Sequence, residues 1–211
     1  MKKLLLILLV GLFLFSCKKE RTIHITAKNA ATGEGFSGLG FILRETKGYV
    51  TSTGEVQKKV YEGTLNAQGE AVFNYKLKNN RSYVLTTLVP DEELCYINNT
   101  SYTLANTDDN FKFDFLFAEC AYLKFRYQNI NCQGPNDHIK VKRYTNLDDY
   151  SGFLIDAEYE GCNDYTMPNF TEVPMGQWIF EWDVTKNNVT SGFSDTVFLN
   201  ANEQKYYEIN Y

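Results

Sequence analysis

Trp178-Ile179-Phe180-Glu181-Trp182-Asp183-Val184 puts a large apolar side chain at every second position, with carboxylates at 181 and 183 between them. Successive side chains of a β-strand point to opposite faces, so this stretch reads as a strand with one face on a core and the other in water. The pattern recurs outward from it. In the second half of the chain it returns in Leu123-Phe125-Tyr127, Ile139-Val141, Phe153-Ile155-Ala157, Val197-Leu199 and Tyr207-Ile209-Tyr211. In the first half it appears in Ile23-Ile25-Ala27, Leu39-Phe41-Leu43, Ala71-Phe73-Tyr75-Leu77, Tyr83-Leu85-Thr87-Val89 and Phe111-Phe113-Phe115-Phe117.

Turn clusters separate these runs: Thr32-Gly33-Glu34-Gly35, Asn66-Ala67-Gln68-Gly69 and Asn79-Asn80 supply the conformations that glycine and asparagine tolerate best. Helical periodicity is nearly absent. Strands apolar on one face and charged on the other belong to antiparallel sheets with one solvated side. Many short strands at this spacing predict an all-β chain of two antiparallel β-sandwich domains, residues 22–118 and 119–211.

The first sixteen residues are of another kind. Lys2 and Lys3 precede an apolar run, Leu4 to Phe15, interrupted only by Gly11, and small Ser16 stands before Cys17. The run has about 12 residues, short of the roughly 20 a helix needs to cross a bilayer. It reads as a signal peptide, residues 1–16. Leu14-Phe15-Ser16-Cys17 resembles the lipobox of bacterial lipoproteins, with Phe15 where a smaller residue is usual. The resemblance implies cleavage before Cys17, lipidation of that cysteine, and attachment to a membrane by several acyl chains at about 0.8 kcal/mol per buried CH₂. The expected location is the Gram-negative cell envelope, at the outer membrane, with the periplasmic or extracellular face left open. The tether, residues 17–21, reaches roughly 17 Å when extended, so the folded part should sit close to its membrane.

Without residues 1–16 the chain carries 19 basic against 26 acidic residues, a formal charge of −7. That excludes sequence-independent binding to nucleic acid, which needs a basic surface. Cys95, Cys120, Cys132 and Cys162 remain after Cys17, an even number for an oxidising compartment. Four cysteines allow three pairings. Cys95 with Cys120 and Cys132 with Cys162 is the favoured pairing, because it keeps the second bridge inside the second domain. The cysteines contain no C-x-x-C pair, and His24 and His138 lie in no suitable cluster, so neither zinc nor any other cofactor is expected.

Thr32-Gly33-Glu34-Gly35-Phe36-Ser37-Gly38-Leu39-Gly40-Phe41 resembles the opening turn and strand of transthyretin-like modules, also called carboxypeptidase regulatory-like domains. Asn66 to Phe73 is similar to their second turn and strand, and Ser82-Tyr83-Val84-Leu85 to their closing strand. The resemblance covers about residues 22–90 and implies a seven-stranded, Ig-like sandwich without catalytic residues. Phe36 stands where such modules often have proline, and Arg44 to Gly63 is longer and more polar than their pattern.

Trp178, Phe180 and Trp182 share one strand face and read as core. The sharper reading is a sugar platform, which keeps Trp178 and Trp182 as candidate ligand contacts. Asn106, Asp108, Asp109, Asn110 and Asp114 lack the pattern of a calcium loop and read as a solvated turn. His24 and His138 stand at surface positions with no motif around either, so no catalytic residue is assigned. The expected function is a non-catalytic envelope lipoprotein, structural or protein-binding. A glycan or peptide receptor is the alternative and a hydrolase the third. The expected partners are the membrane, through the lipid, and an envelope protein or glycan.

Overall fold

The computed structural model describes residues 20–47, 57–78, 80–104, 110–147, 150 and 157–211. The signal peptide, Cys17, Asp108-Asp109 and Phe153-Ile155 lie outside these residues. The described residues form strands and turns, with no helix. The first half supplies β1 (Glu20–Asn29), β2 (Gly40–Lys47), β3 (Lys58–Thr64), β4 (Glu70–Lys76), β5 (Arg81–Thr87), β6 (Leu94–Ile97) and β7 (Ser101–Leu104). Strand β8 (Asn110–Gln128) leads into the second half, which adds β9 (His138–Thr145), β10 (Ala157–Glu160) and β11 (Asp164–Thr166). Then come β12 (Thr171–Pro174), β13 (Gly176–Lys186), β14 (Val189–Leu199) and β15 (Gln204–Asn210).

The strand β8 organises the molecule. Its first part pairs with β1, Ile23 beside Phe111 through Asn29 beside Phe117, and its last part with β15, Gln204 beside Tyr122 through Asn210 beside Gln128. Strands β6, β12 and β11 also pair with it, antiparallel. Two four-stranded sheets complete the fold, ordered β3-β2-β5-β7 and β10-β9-β13-β14.

The buried side chains fall into two clusters. One joins Ile23, Ile25 and the Phe111–Phe117 ladder to Phe41, Leu43, Tyr83 and Leu85. The other joins Leu123, Phe125, Tyr127 and Ile209 to Ile139, Val141, Trp178 and Phe180. They meet on β8, where Phe117 belongs to the first cluster and its neighbour Ala118 to the second. The other β8 residues of the second cluster, Ala121, Leu123, Phe125 and Tyr127, keep the odd-numbered alternation of the Phe111–Phe117 ladder. The change occurs beside a register shift in β6 between Leu94 and Tyr96. Cys95, the residue between them, forms a disulfide with Cys120 of β8. The second disulfide joins Cys132 and Cys162. Each loop closure stabilises by about 3.5 kcal/mol on the chain-entropy account.

The expectation of purely antiparallel sheets is corrected: β1 and β15 both run parallel to β8. Parallel neighbours need a long crossover. Here six strands intervene between β1 and β8, and the same number between β8 and β15. Strands β6, β7, β11 and β12 carry no long alternation and were not expected. Strand β3 falls in the polar segment that departs from the transthyretin-like pattern.

Candidate interaction surface

Strands β13 and β14 form one hairpin. Asn187 and Asn188 make its two-residue turn, with φ of 51° and 63°. Both central residues of a type I′ turn need positive φ, and asparagine tolerates this better than any other side-chain-bearing residue. The register then runs unbroken from Lys186 beside Val189 to Gly176 beside Leu199.

Strand β13 is central, with β9 on its other edge, Trp182 beside Val141 and Phe180 beside Arg143. Trp178 is only 1% exposed and Phe180 is buried; the indole Nε1–H of Trp178 donates to the Pro174 carbonyl at 2.9 Å. Trp178 therefore has neither a free ring face nor a free donor, and it is withdrawn as a ligand contact. Trp182, two steps of the alternation further on, reaches the rim of the core and is half-buried. Its indole stacks on Phe193 of β14 at 5.8 Å. These two rings, with Val184, Val189 and Tyr211, line an open apolar groove of about 380 Å³.

The opposite face of the hairpin is polar. Glu181 and Asp183 stand beside Lys142 and Lys140 of β9. The Tyr144 hydroxyl donates to Glu181 at 2.7 Å, which raises the phenol above its usual range.

The hairpin is fastened at its tip. Lys186 Nζ donates to Asn129 Oδ1 at 3.1 Å and to the Asn131 carbonyl at 3.0 Å. Asn129 Nδ2 donates in turn to Asp137 Oδ2 at 2.9 Å, as does the Gln133 backbone N–H. Asn187 bonds Gln133 through their side chains. Asp137 is buried, yet the hydrogen bond from Asn129, the backbone N–H of Gln133 and the charge of Lys186 hold its carboxyl below the ordinary aspartate range. The cluster acts as a clamp between the hairpin tip and residues 129–137. The Cys132–Cys162 bridge closes the same loop. At the far end Leu199 is fully buried, and Glu203 accepts from the Asn200 backbone N–H at 2.9 Å.

Between these ends β14 is exposed over most of its length, and Asp195 Oδ2 accepts from the Tyr207 hydroxyl at 2.6 Å. Val189 is 66% exposed, Phe193 51% and Phe198 47%. Strand β13 pairs with one of its edges, and among the described residues no strand pairs with the other. In a hairpin closed by a two-residue turn, hydrogen-bonded and non-bonded pairs alternate from Lys186–Val189 onward. The N–H and C=O groups of residues 190, 192, 194, 196 and 198 therefore point to the open edge. One guard is present: the Thr196 N–H is capped by Asp195 Oδ1 at 2.7 Å.

The other expected sites are dispersed. Asp114 accepts from Thr26 Oγ1 at 2.6 Å on β8, and Asn110 opens that strand. His138 Nε2 lies 2.6 Å from Glu158, and His24 stands beside Lys112 in register. Among the described residues no group of three or more His, Cys, Asp or Glu side chains is placed to hold a metal ion. In the first half, Glu45 meets Lys78 at 3.1 Å, Arg81 at 3.3 Å and the Tyr83 hydroxyl at 3.1 Å, a carboxylate paired on every side. Phe193, Lys186, Asn129 and Asp137 were missed. The legible signal was the Asn187-Asn188 pair between two strand-forming runs, which marks a hairpin turn.

No protein-family model matches the chain, and no curated protein matches its sequence. Among solved structures it is similar to the Bacillus anthracis TIE protein, at 12% identity over 92% of this chain, with TM-score 0.38. The chain spans about a third of that protein, 34% of its length. It is also similar to the shaft pilin SpaA from Lactobacillus rhamnosus GG, at 9% identity over 91% of this chain and 97% of the pilin, with TM-score 0.36. A third is the major pilin SpaD from Corynebacterium diphtheriae, at 10% identity over 87% and 68% of the two chains, with TM-score 0.37. Likeness at this level assigns neither family nor function.

Proposed function

We propose that this protein is a non-catalytic envelope lipoprotein, anchored by lipid on Cys17 in the Gram-negative outer membrane. Its two tandem β-sandwiches, residues 22–118 and 119–211, present the open edge of β14 to a protein partner. One observation carries the reading: β14 is a long, exposed edge strand held rigid at both ends. An unpaired edge is a template for a further strand, and proteins that do not use one blunt it with charges, proline or a bulge. Strand β3 follows that rule, with Lys58, Lys59 and Glu62 and a register shift opposite Leu43/Arg44. Strand β10 is four residues long and carries Glu158 and Glu160. Strand β14 has eleven residues, one charge, no proline and no register shift. Rigid ends lower the entropy lost on docking, which favours recognition through the backbone.

Amide hydrogen exchange tests the reading. Native membranes carrying the full chain are compared with dilute protein in non-ionic detergent. The N–H groups of residues 190, 192, 194 and 198 should exchange at least tenfold more slowly in the membranes. Equal rates in both would remove the interaction reading. The anchor is tested by Cys17→Ser, which should move the protein from the membrane to the soluble fraction. Retention in the membrane would overturn lipid attachment at this residue.

A second reading is favoured by the Trp182–Phe193 groove: a glycan or peptide lying on the two rings. Titration of tryptophan fluorescence with envelope glycans would show a saturable change that Trp182→Ala abolishes. A flat titration would end this alternative.

A further inference from the structure

We infer that the strand docking on β14 is β14 of a second copy of this chain, paired antiparallel about a twofold axis through Phe193. The inference rests on the reading of β14 as an interaction edge and names its occupant. The argument is one of register. A twofold pairing requires the even-numbered, outward-facing residues 190 to 198 of each copy to bond one another, so the axis must pass through a residue and not between two. Three registers lie near the middle of the strand. With Asp195 at the axis, the only charge of β14 would face its own copy, and like charges directly opposite are destabilising. With Ser194 there, Phe193 would lie opposite Asp195 and Ser191 opposite Val197.

With Phe193 at the axis, every pair is compatible. Phe193 faces Phe193, Val189 faces Val197, Thr190 faces Thr196 and Ser191 faces Asp195. Aromatic, β-branched and threonine pairs are the favourable cross-strand combinations. The apolar pairs all fall on the face that already carries the Trp182–Phe193 stack, so the two copies' grooves would join across the axis. On the other face Gly192 meets Ser194, and neither side chain obstructs the approach. The single guard, Asp195 Oδ1 on the Thr196 N–H, has Ser191 of the second copy as a neutral hydroxyl neighbour when it is displaced. The result is a continuous eight-stranded sheet made from two four-stranded ones.

The test uses the full lipidated chain in non-ionic detergent and single cysteines introduced in turn as Val189→Cys, Ser191→Cys, Phe193→Cys, Asp195→Cys and Val197→Cys. A non-hydrogen-bonded antiparallel pair brings its Cα atoms to about 4.5 Å, inside the range a disulfide spans. Mild oxidation should therefore join two Phe193→Cys chains, with at least tenfold more covalent dimer than at 191 or 195. Phe193 is half exposed, so the substitution leaves the core intact, and an unchanged far-ultraviolet circular dichroism spectrum checks this. Ser194→Lys, which places a charge on the open edge beside Glu181, should reduce the dimer fraction of the otherwise native chain at least tenfold by sedimentation. A maximum at another position, equal yields at all five, or a chain that sediments as a monomer would overturn the pairing. If β14 amides are protected in membranes while Phe193→Cys gives no dimer, the edge reading stands, its occupant is a strand of another protein, and the copy-to-copy pairing is refuted. If neither is seen, both fall.

Discussion

Trp178 and Trp182 stand four residues apart on one face of one strand and differ in almost everything that decides a role. Trp178 is enclosed by the second core and spends its N–H on the Pro174 carbonyl. Trp182 closes the edge of that core and shares its exposed side with Phe193. Truncating a buried tryptophan removes its transfer energy and leaves a cavity, so Trp178→Ala should cost about 3–5 kcal/mol. Trp182→Ala should cost about 1–2 kcal/mol, the part it buries plus its ring contact. Urea melts read by circular dichroism check the pair; equal losses would place Trp182 in the core. Asp137 works through charge. Its carboxyl is held below its unfolded value by Asn129, Gln133 and Lys186, so its contribution is full above the unfolded pKa, near 4, and is lost as pH falls through the folded pKa. Asp137→Asn should therefore be less stable than the parent at about pH 7, with the difference shrinking toward about pH 3. A difference that stays constant across that interval would show that Asp137 acts by shape alone.

The hairpin of β13 and β14 shows what strand patterns make legible. Strand β13 was readable because one of its faces is buried and the other wet, which writes alternation into Trp178-Ile179-Phe180-Glu181. Strand β14 is wet on both faces through most of its length, so nothing constrains its residues to alternate, and only Val197-Leu199 near its buried end gave a signal. Strands β6, β11 and β12 were hidden for a different reason, being too short to show a period. The parallel placement of β1 and β15 beside β8 was hidden because partner choice across more than eighty residues leaves no local mark. The aromatic platform was half legible: the face was identified, but how far the core extends along it depends on the opposing sheet. The turn, by contrast, is encoded in two adjacent residues. Asn188 has φ of 63°, where a β-branched side chain costs about 1–2 kcal/mol and glycine costs nothing. Asn188→Val should lower stability by about that amount, and Asn188→Gly should leave it unchanged or raise it slightly. If Asn188→Val melts with the parent, the hairpin is held by the Lys186 clamp, and turn conformation contributes little.

At the scale of the whole molecule, the question is whether two cores make two folding units. Each core has its own second sheet, β3-β2-β5-β7 for one and β10-β9-β13-β14 for the other. Both rest on β8, however, and the change from one core to the other takes a single step, from Phe117 to Ala118. The Cys95–Cys120 bridge pins β6 across that step, and Tyr96, from the first half of the sequence, is buried in the second core. Fraying the first core would free β8 up to Phe117 and strip β6 of its neighbour, exposing Ala118 and Tyr96. The second core should therefore not survive the loss of the first at full strength, and the chain should unfold as one cooperative unit. The chain reports on this directly, because its two tryptophans both lie in the second half. Leu43 is fully buried in the first core, on β2, and Leu43→Ala should cost about 2–5 kcal/mol. If the cores are coupled, tryptophan fluorescence and far-ultraviolet circular dichroism give one coincident urea transition, and the substitution lowers the midpoint of both. If the fluorescence midpoint stays in place while circular dichroism divides into two steps, β8 is a passive linker between independent domains.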